Sequence, residues 1–367
     1  MKVLKVALTG GPCGGKTTSI KTIEEEFQER GYHVIVVPEA ATILINSGIR
    51  PFGNNGLPMY DFQKYVMQLQ FQLEEYAERA AEEIPAKTII VCDRGLLDDK
   101  AYVSDDEYNK LLEKFNTTKM DLFNRYDLVM HLVTAAEGKE EFYTTANNEA
   151  RTETPEQARE KDRKTLEAWL GHDNLKIIGN DTEFSVKIAR TVQEIYELLR
   201  FPYPIQKQEK YLISDVDMSK LLKQKPVIID IEQYFEFTDS QEIIYRKSKI
   251  SGKTKYTKIT KIDTDINKER IIKKKNISEE EYTENIKEQK PIKKKRYCFS
   301  YLNQYFRLDI FDDGLKMLEI EETNKTGARK IPAFITVEDE VTTDVDYRNA
   351  SLYNKKKSKE KQNKKKC

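Results

Sequence analysis

The stretch Gly10–Thr18, GGPCGGKTT, combines the residue types that wrap the phosphates of a nucleotide. It fits the spacing G-x-x-x-x-G-K-[ST], in which backbone N–H groups of a glycine-rich turn cradle phosphates at a helix N-terminus. Lys16 would reach the β- and γ-phosphates, and the Thr17 hydroxyl would hold Mg²⁺. The predicted nucleotide contacts are Gly10, Gly11, Gly14, Gly15, Lys16, Thr17 and Thr18.

A glycine-rich turn that matches this spacing by chance is the alternative. The apolar run Val3–Leu8 precedes the stretch and a helical pattern follows it, which is the context that the motif requires. We therefore predict Mg²⁺ with ATP or GTP as the ligand. No motif such as N-K-x-D follows the fourth apolar run to select between the two purines.

The elements that position this loop are short apolar runs alternating with helical patterns, which is typical of a parallel α/β sheet. The runs are Val3–Leu8, His33–Val37, Thr88–Cys92, Leu128–Val133 and Leu175–Ile178. Ligands of such sheets gather at the carboxyl ends of the strands. The residues that follow each run are therefore the candidates for chemistry.

Charged residues follow the second and third runs. Glu39 could accept a proton from an acceptor hydroxyl, or it could occupy the first turn of a helix because the dipole favours an anion there. Asp93 could order the Mg²⁺ shell and Arg94 could pair with phosphate, unless Asp93 only caps the following turn. We predict catalytic roles for Glu39, Asp93 and Arg94, with Thr17 and Asp93 as metal ligands.

The polar segment Thr134–Gly171 follows the fourth run and carries Arg151, Arg159 and Arg163. As part of a mobile flap, these arginines would stabilise the charge on a transferring phosphoryl group. A solvated helix with Glu–Arg pairs is the alternative. After the fifth run, Asn180 and Asp181 are candidates for contact with the purine base, although Asp181 could instead cap the last helix.

The region between the second and third runs offers weaker candidates. Arg50, Phe52, Tyr60 and Gln63 lie where a nucleoside acceptor could bind. The helical spacing of the apolar residues around them favours a role in the core for most of this region.

A proline-rich break, Phe201–Pro204, ends the last helix, and the apolar period then changes from 3.6 to 2. Runs typical of antiparallel strands follow, interrupted by one helix with Ser278 as its N-cap. Charged residues alternate along several runs, which suits either a surface sheet or a closed barrel with a polar interior. The predicted domains are 1–200, a linker at 201–208, and 209–353, followed by a disordered lysine-rich tail at 354–367.

The net charge of zero conceals an asymmetry. Residues 1–205 carry 25 basic and 34 acidic residues, a net of −9, and the remainder carries 37 and 28, a net of +9. This split predicts that the second half prefers an anionic partner. The tail has eight lysines and one glutamate, so it is solvated by default, with an anionic membrane surface or nucleic acid as the alternative partner.

Four scattered cysteines lack metal-ligand spacing, and no run of 18 apolar residues occurs. We expect a cytoplasmic protein that is at most peripheral at membranes. Nucleic acid is not the predicted partner of the folded domains.

The chain resembles known proteins from Met1 to Tyr353. Its first half is similar to NadR-type, nucleoside-kinase-like P-loop ATPases through GGPCGGKTT, PEAAT and CDRGLLD. With HLVTAAEGKEEFYTTANNEAR and AWLGH, the whole resembles the TRPL translocation defect family of ATP/GTP-binding proteins. The second half resembles a CYTH, or triphosphate-tunnel, domain through IDIEQYF, KKKRYCF, RLDIFDDGLKMLEIE and VEDEVTTDVDYRNASLY.

The resemblance implies an α/β P-loop NTPase, of the kind grouped with AAA domains, followed by an antiparallel β-barrel. It implies purine-nucleotide binding by the first domain and recognition of anionic phospholipid or an organic phosphate by the second. The implied phosphate-binding residues of the tunnel are Lys210, Arg246, Lys261, Lys294, Arg296, Glu319, Glu321 and Glu340.

One departure from the tunnel pattern concerns metal binding. Tunnel triphosphatases begin with E-x-E-x-K, but this chain has Gln206 and Gln208 before Lys210, and Ser248 replaces the second arginine of an R-x-R pair. Glutamine is a poor ligand for a hard cation. We therefore expect phosphoryl transfer or NTP hydrolysis by the first domain and phosphate recognition by the second. The alternatives are a nucleotide-dependent switch that binds anionic phospholipid with negligible turnover, and a tunnel-type triphosphatase.

Overall fold

The computed structural model of the protein describes residues 3–140, 154–200, 208–238, 241–263, 270–286, 290–321 and 330–364. The chain divides into two compact units, Met1–Ile195 and Tyr196–Cys367. This division falls inside the last helix of the first half, close to the domain boundary predicted at residue 200.

The first unit contains a parallel sheet of five strands in the order β2-β3-β1-β4-β5. The strands are β1 Val3–Thr9, β2 His33–Val37, β3 Thr88–Asp93, β4 Leu128–Leu132 and β5 Leu175–Ile178. Each begins at the predicted residue, because continuous apolar runs are what a sheet covered on both faces requires. The predicted α/β fold of a P-loop NTPase is confirmed.

Seven α-helices lie in the described part of this unit. They are α1 Lys16–Glu29, α2 Ala40–Asn46, α3 Met59–Glu83, α4 Asp105–Lys114, α5 Lys119–Phe123, α6 Pro155–Trp169 and α7 Phe184–Arg200. A short 3-10 helix, Asp98–Tyr102, follows β3. Helix α6 begins with a capping box, in which Thr154 and Gln157 satisfy each other's backbone N–H groups.

Strand β1 is central, so the loop that follows it lies in the middle of the carboxyl edge of the sheet. Leu8 pairs with Asp93 on β3, and Thr9 pairs with His131 on β4. The register therefore brings the glycine-rich loop beside the end of β3 and the end of β4.

The second unit contains a nine-stranded antiparallel sheet in the order β10-β9-β8-β7-β11-β12-β13-β6-β14. Its strands are β6 Gln208–Val216, β7 Val227–Phe237, β8 Gln241–Ile250, β9 Lys253–Asp263, β10 Arg270–Asn276, β11 Ile292–Tyr301, β12 Gln304–Phe311, β13 Lys316–Glu321 and β14 Ile335–Glu340. Its helices are α8 Met218–Lys223, α9 Glu279–Ile286 and α10 Asn349–Lys364. The antiparallel class is confirmed. Within the described ranges no pairing joins the edge strands β10 and β14, so closure into a barrel stays a prediction.

The two faces of this sheet differ in character because successive residues of a strand point to opposite sides. Phe299, Phe306 and Leu318 belong to a buried apolar cluster on one face, where Leu221 of α8 packs. Arg296 and its cross-strand partner Asp309 lie on the other face. We call this second side the charged face.

The lysine-rich tail predicted at 354–367 overlaps a helix of the structure. Helix α10 continues to Lys364, and its Tyr353 is buried, with its ring centroid 5.1 Å from that of Phe235. Lys356 pairs with Asp312 at 2.8 Å. Lysine is a good helix former, and the packed Tyr353 lies one residue before the predicted tail, whose disorder stays a prediction. None of the helices in the described ranges has the length and apolar content to cross a membrane.

Candidate functional site

The glycine-rich loop between β1 and α1 packs against the end of β4. Gly10 has a φ of 127°, and a Cβ there would lie 2.2 Å from the Leu132 carbonyl oxygen. A Cβ at Gly14 would lie 2.6 Å from the same oxygen. Gly15 precedes α1 with a φ of 93°. The loop backbone therefore takes its shape only with glycines at these positions.

Lys16 begins α1, and its ammonium lies over the loop. Its Nζ donates to the carbonyl oxygens of Gly10 at 3.1 Å and Gly11 at 3.0 Å. Burial, helped by repulsion from Arg94, lowers the pKa of Lys16 to about 8, although nearby carboxylates led by Asp93 act in the opposite direction. A bound anion would offset the lost solvation of this ammonium.

The residues present fit a magnesium ion. Asp93 ends β3, and one of its carboxylate oxygens is buried without a hydrogen-bond partner among the described residues. Thr17 is exposed in the first turn of α1. Mg²⁺ typically keeps waters and phosphate oxygens and needs only one or two protein ligands. In the described ranges no group of three or more His, Cys, Asp or Glu residues is placed to hold a metal by itself.

Arg94 joins three elements of the site. Its Nε donates to Glu39 Oε1 at 2.5 Å, and its Nη1 donates to the Gly10 carbonyl at 3.2 Å and to Asp98 Oδ2 at 3.4 Å. Its φ is 72°, a left-handed conformation that is unfavourable for a residue other than glycine. Such conformations are concentrated at functional sites, where surrounding contacts hold them.

Glu39 immediately precedes α2. Burial favours its neutral form, but the Arg94 guanidinium and a hydrogen bond from Thr42 lower the pKa of Glu39 to about 2. A carboxylate with this pKa accepts protons poorly near neutral pH. The role of general base stays a prediction, and the geometry favours Glu39 as the residue that orients Arg94.

Asp98 and Trp169 are site residues that the sequence reasoning missed. Asp98 accepts hydrogen bonds from Thr9 Oγ1 at 2.7 Å and from the Trp169 indole at 2.6 Å. The Trp169 ring lies over Gly95, where a Cβ would come within 2.7 Å of it. The motif CDRGLLD held a signal, because Asp98 lies four residues after Arg94, but nothing local indicated Trp169.

Asp162 on α6 was also missed. Its Oδ1 accepts from the backbone N–H groups of Gly11 at 2.6 Å and Thr134 at 3.2 Å, and its Oδ2 lies 3.1 Å from His131 Nε2. Although burial acts in the opposite direction, these contacts lower the pKa of Asp162. Helix α6 therefore holds the phosphate loop through Asp162 and the turn after β3 through Trp169.

The predicted flap arginines differ in their placement. Arg159 donates to the Ala136 carbonyl at 2.6 Å and so connects α6 to the segment after β4. Arg163 makes an exposed pair with Glu167 at 3.1 Å, as the solvated-helix alternative predicts. Arg151 lies outside the described residues.

The two candidates for base contact hold the scaffold in the structure. Asn180 Nδ2 donates to the carbonyls of Thr134 and Glu137, and Asn180 Oδ1 accepts from Lys187 Nζ at 2.7 Å. Burial lowers the pKa of Lys187, a further residue missed by the sequence reasoning, to about 8. Asp181 pairs with Arg190 at 2.9 Å, and α7 begins at Phe184.

The weak acceptor candidates lie on or before α3. Arg50 donates to the Ile45 carbonyl at 3.1 Å, and Phe52 is exposed. Gln63 is buried on α3, and its side-chain oxygen has no partner among the described residues. Tyr60 is half-buried. The structure does not gather these four into one cluster of contacts.

The charged face of the second unit brings together most of the predicted tunnel residues. The strand pairings place six of the predicted residues on the charged face: Lys210, Arg246, Lys261, Lys294, Arg296 and Glu319. Glu321 pairs with Gln208 at the end of β13, where its side chain lies outside the described set. Glu340 differs from the prediction, because it pairs with Tyr211, whose ring packs against the apolar cluster.

The charged face has more cations than anions. Arg296 donates to Asp309 at 2.6 Å and to Glu319 at 2.9 Å, and Lys294 donates to Asp309 at 2.5 Å. Burial lowers the pKa of Lys294 to about 8, and burial with repulsion from Arg296 lowers that of Arg246 to about 10. Two carboxylates, Asp309 and Glu319, thus lie among five cations on this face. The cations are Lys210, Arg246, Lys294, Arg296 and Arg307.

One protein-family model matches most of the first unit. Residues 5–185 match the family model AAA_28, an AAA domain. The match supports an AAA-type P-loop domain, which indicates nucleotide binding. No curated protein matches the chain.

Two solved structures are similar to 40% of this chain. One is the inorganic triphosphatase NE1496, with 21% identity over 93% of that chain, and the other is described as the hypothetical protein NE1496, with 20% identity over 97%. The TM-score is 0.30 for both, which does not establish a shared fold. The resemblances to the TRPL translocation defect family and to CYTH domains stay predictions.

Proposed function

We propose that the first unit binds Mg²⁺ with ATP or GTP and transfers or hydrolyses the γ-phosphate. The observation that carries this proposal is the position of Lys16 over the glycine-rich loop, with Arg94 also in contact with Gly10. Both cations lie at the carboxyl edge of the sheet, where loop N–H groups and the N-terminus of α1 favour an anion.

The roles follow from this geometry. Lys16 and the loop backbone bind the β- and γ-phosphates, and Thr17 with Asp93 would hold the metal, which neutralises phosphate charge. Arg94 is fixed by Glu39 and Asp98 and so can stabilise developing charge without reorganising. Arg159 can approach the γ-phosphate from α6. Because phosphoryl transfer depends mainly on positioning and charge, the weak basicity of Glu39 does not exclude an acceptor hydroxyl.

For the second unit we propose recognition of a phosphate-rich anion on the charged face. An excess of three positive charges among partly buried side chains is costly unless an anion compensates it. Planar guanidinium groups, such as those of Arg246, Arg296 and Arg307, bind phosphate bidentately. A phospholipid headgroup shares this chemistry, but no observation favours it over a small phosphate compound.

Phosphorus-31 NMR tests the catalytic proposal. The full chain is incubated with Mg²⁺, ATP or GTP and a pool of nucleoside acceptors that includes nicotinamide riboside. We expect a new phosphomonoester signal or inorganic phosphate, lost in Lys16→Ala and retained in Lys21→Ala, since Lys21 is an exposed lysine of the same helix. A phosphomonoester identifies a kinase, and inorganic phosphate alone identifies an NTPase. Turnover that persists in Lys16→Ala would exclude this site as its source, and no turnover would leave a nucleotide-dependent switch.

A further inference from the structure

Phe184, the first residue of α7, is an exposed aromatic side chain in contact with the phosphate loop. Its side chain and backbone together are 52% exposed. A Cβ built on Gly15 would lie 2.9 Å from Phe184 Cε2 and 3.3 Å from Cζ, so the ring edge lies against the loop. About half of the residue's surface is accessible to solvent.

The position of this ring follows from the periodicity of α7. Ile188, Val192 and Ile195 form the buried stripe of the helix. Phe184 lies one turn before Ile188 on the same stripe, because residues four apart share a helix face. At this end the stripe runs past the core to the loop, since Ile188 Cδ1 and Phe184 Cε2 both lie near the same point above Gly15.

We propose that Phe184 is the stacking platform for the base of the nucleotide bound by the loop, an inference that rests on the nucleotide binding proposed above. The occupant is fixed by connectivity, because a ribose and its base extend only a short distance from phosphates held at Gly15 and Lys16. An exposed aromatic ring that touches a phosphate loop offers the π-surface that a base requires.

Stacking also explains how the base could be bound when the two predicted polar contacts, Asn180 and Asp181, are engaged elsewhere. The Asn180 amide is bound to Thr134, Glu137 and Lys187, and Asp181 is paired with Arg190. The two side chains predicted to contact the base thus hold the scaffold in this structure. Because every base has a π-face, stacking on Phe184 contributes to the binding of ATP and GTP alike.

The competing explanation is structural, namely that Phe184 only covers Gly15 and keeps the loop in shape. The two roles differ in their ligand dependence. A stacking platform strengthens binding only of ligands with a base, whereas a loop support strengthens binding of any polyphosphate.

Equilibrium titration of the full chain with mant-ATP and Mg²⁺ tests the proposal. ATP, GTP and inorganic tripolyphosphate serve as competitors, and the mant-ATP signal that remains in Lys16→Ala, which includes any binding at the second unit, is subtracted. The variants are Phe184→Ala, Phe184→Leu and Phe184→Tyr. Val186→Ala, at a second exposed apolar residue of α7, is the matched control.

We expect Phe184→Ala and Phe184→Leu to weaken ATP and GTP about 5- to 150-fold, the range that loss of one base–aromatic stack produces. Phe184→Tyr and Val186→Ala should retain wild-type affinity, and the inhibition constant of tripolyphosphate should not change. Equal losses for ATP and tripolyphosphate, or unchanged ATP affinity in Phe184→Ala, would overturn the stacking role while nucleotide binding stands. Wild-type protein that binds mant-ATP no better than Lys16→Ala would overturn both.

Discussion

At the scale of single residues, Lys16 carries a cost when no anion is bound. Burial lowers its pKa from 10.5 to about 8, so the native state binds this proton less tightly than the unfolded chain does. The destabilisation is complete below about pH 8 and is relieved as the pH rises towards 10.5. Lys16, which would bind phosphate, thus lowers the free energy of unfolding of the ligand-free protein.

We therefore expect Lys16→Met to raise the melting temperature of the ligand-free protein at pH 7 by roughly 2–4 °C, the shift that about 1 kcal/mol produces in a unit of this size. The gain should shrink at pH 10, where native Lys16 is neutral, and ATP should no longer bind. Calorimetry at the two pH values measures this. Lys21→Met, on the exposed side of α1, should change neither property, and a lower melting temperature for Lys16→Met at pH 7 would contradict the argument.

At the scale of elements, α6 connects the two halves of the phosphate site. Asp162 receives the Gly11 N–H from 151 residues earlier in the chain, and Trp169 donates to Asp98. One rigid helix thus fixes the phosphate loop and the turn that carries Arg94. The same helix places Arg159 next to the segment after β4.

Asp162→Asn tests this connection. An amide oxygen can replace only one of the two carboxylate oxygens, so either the loop N–H groups or His131 lose their acceptor. We expect a loss of about 2–3 kcal/mol in unfolding free energy, the usual cost of an unsatisfied buried partner. We also expect weaker ATP binding and faster amide hydrogen exchange at Gly11. Asp181→Asn, which removes the charge from the partly exposed pair with Arg190, should cost less than about 1 kcal/mol. Equal effects of the two substitutions would refute a special role for Asp162.

At the scale of the whole molecule, part of the positive charge of the second half lies on the charged face of the second unit. Its charged face gathers cations from β6, β8, β11 and β12 around Asp309 and Glu319. Neighbouring strands make this possible because alternate residues of each strand share one side. The excess of positive charge in the second half is thus partly concentrated on one face.

We expect Arg296→Gln to weaken tripolyphosphate binding by the second unit about tenfold or more, the effect of losing one charge-assisted contact. Calorimetric titration in a Lys16→Ala background isolates this binding from the phosphate loop. Lys295→Gln is the matched control, since Lys295 immediately precedes Arg296 in β11 and is exposed on the opposite side. Binding in wild type should also fall with rising salt. Equal affinities of the two variants would argue against the charged face as the site.

The sequence by itself determined the features that depend on local spacing. The glycine pattern fixed the phosphate loop, and the apolar runs fixed where the five parallel strands begin, because backbone conformation and periodicity are local properties. The switch from a period of 3.6 to a period of 2 separated the two folds. The burial of Tyr353, one residue before the lysine-rich tail, could not be predicted from the composition of that segment.

Only the tertiary structure decided which side chains meet. Trp169, Asp162 and Lys187 enter the site through contacts between distant segments, which no spacing in the sequence reveals. The pKa of Glu39 depends on Arg94, 55 residues later, and the exposure of Phe184 depends on where its helix passes the sheet. Charge, burial and hydrogen bonding act through space, so the chemistry of a residue is set by neighbours that only folding brings together.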